Sequence, residues 1–99
     1  MVKALRPRPS FAEIINVIEE IKEEAWASFH ERRGDYGREL ALYLGREFAG
    51  LTLTQLQAEV KAGTAMAVSS AIRRFKERLC NGKPLRKLLA RAMKAMRNR

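Results

Sequence analysis

The stretch Thr52–Leu79, TLTQLQAEVKAGTAMAVSSAIRRFKERL, decides the fold: it reads as a short helix, a tight turn and a longer helix. Thr52 with Gln55 three residues later is a capping-box start. Leu53, Leu56 and Val60 then recur on one helical face. Gly63 falls in the turn, where a residue without a Cβ is expected to take a left-handed conformation cheaply. Thr64 is placed to cap a second helix running to about Leu79. Val68, Ala71, Ile72, Phe75 and Leu79 form the apolar stripe of that helix, and Ser69, Ser70, Arg73, Arg74, Lys76 and Arg78 its other face. Two such helices around a glycine turn fit a helix-turn-helix, whose second helix enters the major groove of DNA. The same pattern also fits a plain helical hairpin inside a bundle.

On both sides of this stretch the spacing predicts more helices, giving an all-α chain of about five. Ser10 with Glu13 opens a first helix, expected to run unbroken from Phe11 to about Arg32. Its core stripe is Phe11, Ile14, Ile15, Ile18, Ile21, Ala25, Trp26 and Phe29. Glu19, Glu20, Glu23 and Glu24 read as a solvated face, because no histidine or second acidic set accompanies them. His30 reads as a surface or helix-end residue. Gly34 is expected to close this helix and Asp35 to cap the next, from Tyr36 to about Ala49. In that helix Leu40, Tyr43, Leu44 and Phe48 face inward, Arg38 and Arg46 outward, and Gly50 ends it. On the other side, Asn81-Gly82 is expected to stop the second helix of the pair with a left-handed cap. Pro84 suits the start of a last helix, with Leu85, Leu88, Leu89, Ala92, Met93 and Met96 turned to the core. Residues 1–9, with Pro7 and Pro9, read as a flexible basic arm ahead of one domain over residues 10–99.

The net charge is +9 over 99 residues, with pI near 10.5. It is unevenly placed: +3 over residues 1–9, −5 over 10–31, +1 over 32–63 and +10 over 64–99. A basic last third beside an acidic first helix favours a polyanionic partner at one side of the molecule. Cys80 is the only cysteine, which excludes an intrachain disulfide and suits a reduced, cytoplasmic setting. No apolar run approaches a membrane span, and the basic start lacks the apolar core of a secretion signal. A basic amphipathic helix such as the last could rest on a membrane, but only with the apolar face that the core is expected to use. Phosphate-binding glycine loops, nucleophile elbows and metal-ligand spacings are missing, so no enzyme, cofactor or metal is expected.

Arg38, Ala41 and Leu44, then Thr52-Leu53, Gly63, Val68 and Ala71, resemble the C-terminal, box-binding domain of the bacterial chromosomal replication initiator DnaA. The likeness spans Arg38 to Phe75, about two fifths of the chain. It implies a fold similar to that of the Trp repressor and duplex binding by the second helix. The family reads its box with an Arg-Asp-His-Thr-Thr run, where this chain has Gly63-Thr64-Ala65-Met66-Ala67. Box recognition and replication initiation therefore do not carry over. The segments RRGDYGRELALYLGREFAGLTL and AVSSAIRRF also look like the initiator-like C-terminal domain of REP-associated single-tyrosine transposases. That likeness implies a piece of a longer protein, since no catalytic transposase motif is present.

The expected function is duplex DNA binding. Thr64, Ala65, Met66, Ser69 and Ser70 are expected to face base edges, and Arg33, Arg38, Lys61, Arg73 and Arg74 to meet phosphates. The alternative is a protein-interaction module that docks an acidic partner on the basic last helix. RNA is disfavoured, because no aromatic platform for stacking bases is interleaved with the charges.

Overall fold

A computed structural model of the chain describes residues 9–30 and 35–97. The protein is all-α, and the described residues form six helices: α1 (Phe11–Lys22), α2 (Trp26–Phe29), α3 (Tyr36–Glu47), α4 (Leu53–Val60), α5 (Ala65–Asn81) and α6 (Lys83–Arg97). Residues 1–8 of the expected arm, Gly34 as the close of the first helix, and Arg33 lie outside the described residues.

The predicted starts are made by local chemistry. Ser10 Oγ accepts from the Glu13 amide while Glu13 accepts from the Ser10 amide. Thr52 and Gln55 repeat that reciprocal pair at α4. Asp35 accepts from the Gly37 amide at 2.7 Å, and Thr64 from the Ala67 amide at 3.0 Å. Each cap satisfies an amide that the first helical turn would otherwise leave bare.

The first helix is shorter than its periodicity suggests. Glu23 takes φ 56, its amide closes α1 on the Glu19 carbonyl, and the chain restarts as the single turn α2. Ring contact explains the break. An unbroken helix would hold Phe11 and Trp26 about 22 Å apart along its axis, whereas their rings meet edge-on at 6.2 Å. Trp26 also packs edge-on against the fully buried Phe29 and stacks on His30. Glu19 turns back to accept from the Trp26 amide at 2.7 Å, which caps α2 where Ala25 cannot. Ala25, expected in the core, is exposed, and Val17 takes a core place instead.

Helix α3 runs through the centre, against α1, α4 and α5. Leu40 and Leu44 are buried as expected, but so are Ala41 and Leu42, so more of the helix circumference is covered than a single stripe. The helix ends at Glu47, two residues before its expected limit. At its start, Lys22 Nζ lies 3.1 Å from Asp35 and 3.3 Å from Glu24, and within 5 Å of the ring centres of Phe29 and Tyr36. This cluster fastens the end of α1 to the cap of α3.

Two turns differ from what their glycines suggest. The left-handed residue between α4 and α5 is Lys61, at φ 55, and not Gly63. The Ala62 amide reaches the Gln57 carbonyl and the Lys61 amide the Ala58 carbonyl, a paired closure that fixes the reversal at Lys61. Gln57 Nε2 reinforces it by donating to the Ala62 and Gly63 carbonyls. Between α5 and α6, Gly82 has φ −126 and ψ 105, an extended link and not a left-handed cap. The carbonyls at the end of α5 are met instead by Arg86, whose Nη1 donates to Leu79 and Cys80 at 2.9 and 3.1 Å. The apolar side of α6 lies on the core: Leu85 and Ala92 are buried, with Leu88, Leu89, Met93 and Met96 packed around them.

Candidate nucleic-acid interface

Helices α4 and α5 pack together, joined by Lys61–Thr64, and α5 lies along α3. Val68, Ala71, Ile72 and Phe75 are buried, which orients the rest of α5. Opposite that stripe, Met66, Ser70, Arg73 and Glu77 follow one another at helical spacing of four, three and four residues. Met66 is 77% exposed and is the only exposed large apolar side chain among the described residues. Ser69 and Arg73 are exposed beside it, Thr64 is exposed at the cap, and Lys61 is exposed at the turn. Ala65 and Ser70 are half-buried. The expected base-facing set is therefore gathered at the first two turns of α5.

The expected phosphate set is more scattered. Arg73 stands on the outer ridge, where its chain neighbour Arg74 is committed elsewhere: Arg74 Nε lies 3.7 Å from Glu39 of α3. Arg78 Nη1 donates to the same glutamate at 3.0 Å, and Lys76 lies 3.6 Å from Glu47. The two flanks of α5 are thus tied to α3 through carboxylates that local sequence spacing does not connect to them. Arg38 is half-buried and lies about 140° round α3 from Tyr43 at about 100° per residue. Since the Tyr43 ring packs on Phe75 of α5 at 5.2 Å, Arg38 is set off the side that α5 covers. Glu77 places one negative charge on the outer ridge beyond Arg73. An open groove beside the last turns of α5, lined by Arg74, Glu77, Arg78, Asn81 and Gly82, mixes both signs of charge.

Burial pushes the Tyr43 phenol above its ordinary value of 10.0, and the neighbouring Glu47 carboxylate adds to the shift. Among the described residues no three His, Cys, Asp or Glu side chains are grouped to hold a metal ion. No described helix is long and apolar enough to cross a membrane. The chain matches no known protein family, no curated protein and no solved structure.

Proposed function

We propose that this chain is a duplex DNA-binding domain in which α5 is the helix offered to the major groove. The observation that carries the reading is the outer side of α5: Met66 and Arg73 on its ridge, with Ser69 beside them, are exposed directly after a tight capped turn. Met66 and Ala65 suit a thymine methyl, the two serines can bond either kind of base edge, and Arg73 suits a phosphate. The positive end of the α5 dipole and the exposed cation of Lys61 favour an anion at the same end. The likeness of Arg38–Phe75 to the DnaA box-binding domain, and of a wider stretch to REP-associated transposase domains, supports the reading. With no bidentate arginine, asparagine or glutamine at the base-facing positions, sequence discrimination is modest unless a partner or a second copy adds to it.

The test is a salt titration of binding to a random-sequence duplex. Each phosphate contact contributes about −0.9 to the log–log slope. Arg73→Ala is expected to weaken binding to all sequences alike and to flatten the slope by about 0.9. An unchanged slope and affinity in that variant would refute the orientation of α5. A protein-interaction module docking acidic partners on α6 would instead show no duplex binding at moderate salt.

A further inference from the structure

Helix α6 carries Lys83, Arg86, Lys87, Arg91, Lys94 and Arg97 and no acidic residue. Arg86 is occupied with the carbonyls that end α5. Lys83, Lys87, Arg91 and Lys94 are exposed, follow one another at spacings of four, four and three residues, and make no ion pair with any described residue. They therefore form one row on the side of α6 that faces away from the core. This contrasts with α5, where Arg74, Arg78 and Lys76 share the carboxylates of Glu39 and Glu47. Fixed carboxylates beside those cations lower the attraction they can offer an incoming anion, whereas no carboxylate of the described residues pairs with the row on α6, although α6 packs on the glutamate-bearing α1.

We infer that the outer face of α6 is a phosphate-backbone track and supplies the larger share of the domain's affinity for duplex DNA. The row from Lys83 to Lys94 is about 16 Å long at 1.5 Å per residue. Over that distance one strand of a duplex presents roughly five phosphate charges, so a line of cations meets a line of anions of similar number. An acidic protein is a poorer occupant. Protein interfaces rely on buried aromatic or aliphatic anchors and are depleted in lysine, and this face offers only Ala90 and Pro84 between its charges. An anionic membrane is poorer too, because the apolar side that would insert is packed on the core. Contacts of this kind read no sequence, so α6 would supply affinity while α5 supplies what discrimination there is.

This inference rests on the duplex-binding reading above, and one experiment separates the two. Binding of the full chain to a labelled random-sequence duplex is followed by fluorescence anisotropy across a salt series. The variants are Lys87→Gln/Arg91→Gln/Lys94→Gln, Arg73→Gln, and the charge-keeping Lys87→Arg/Arg91→Lys/Lys94→Arg. Glutamine keeps a helix propensity close to that of lysine and arginine, and far-UV circular dichroism checks the helix. The triple glutamine variant is expected to lose at least about tenfold in affinity near 0.1 M salt and to flatten the slope by about 2.7, against about 0.9 for Arg73→Gln. The charge-keeping variant should stay within about twofold of the parent, because the track reads charge alone. A triple variant that keeps the parent's slope, while Arg73→Gln loses binding, overturns the track and leaves the α5 reading standing. A parent that fails to bind duplex at low salt overturns the α5 reading and the track with it. Tighter binding of the parent to polyglutamate or to phosphatidylserine vesicles than to duplex also overturns the track.

Discussion

At Lys61 the backbone carries a full side chain through a left-handed conformation, while Gly63 two residues later has no need of one. Left-handed geometry costs a non-glycine residue about 1–2 kcal/mol. Here it is held by the paired amide closure and by Gln57. A Cβ at Gly63 would meet nothing within 4 Å. Gly63→Ala is therefore expected to raise stability by about 0.4–1 kcal/mol, through a less free unfolded chain, read as a higher urea midpoint. Gly37 is the opposite case. A Cβ there would come within 2.5 Å of the Phe29 ring and 2.9 Å of Asp35, and Phe29 is fully buried. Gly37→Ala should lower stability by about 1–3 kcal/mol in the same assay, as overpacked cores do. Tyr43 gives a pH prediction. Its phenol holds its proton more tightly folded than unfolded, so its contribution is whole below pH 10.0 and is lost as pH rises through the folded value. Tyr43→Phe should remove that part of the alkaline loss, so the stability difference between parent and variant changes only above about pH 10.

At the scale of elements, the helix caps and buried stripes are legible in the sequence, whereas the local turn at Lys61, the extended link at Gly82 and what distant residues decide are not. Ser10 with Glu13, Asp35, Thr52 with Gln55, and Thr64 all cap as their types predict, because each bond spans two or three residues. The buried stripe of α5 was equally readable, since its period is that of the helix. The break in α1 was not. Neither glycine nor proline stands at Glu23, and the cause lies in rings fifteen positions apart, at Phe11 and Trp26. The balance is intelligible: one left-handed residue costs about 1–2 kcal/mol, and burying one phenylalanine returns about 1.5–3 kcal/mol. Two variants probe it. Glu23→Gly should gain up to about 1 kcal/mol by relieving the left-handed strain. Trp26→Ala should lose roughly 2–4 kcal/mol, below the full range for large aromatic truncations because the ring is half-buried. If Trp26→Ala is neutral in thermal unfolding, ring contact is not what breaks the helix. The pairing of Arg74 and Arg78 with Glu39 was hidden for the same reason, since more than thirty residues separate them in sequence.

Across the whole molecule, the uneven charge of the sequence becomes a division of labour among helices. Among the described residues, the carboxylates of the first segment sit on α1 and in the link to α2, while α5 and α6 carry most of the cations. The base-facing residues expected from sequence come together on α5, whereas Arg38 stands apart on α3 and Arg74 is paired. Glu77 interrupts the outer ridge of α5, so in the proposed complex the groove contact is confined to the first two turns. Glu77→Gln is accordingly expected to strengthen duplex binding severalfold at low salt, with the gain fading as salt screens the charge; equal affinities at every salt concentration would place that end of α5 away from the duplex. Contact between the outer ridge of α5 and DNA is read from backbone amide NMR shifts recorded while the chain is titrated with a random-sequence duplex. The largest changes are expected at Thr64–Arg73, with a second set along Lys83–Lys94. Changes confined to α1 and α3, with α5 silent, would refute that contact.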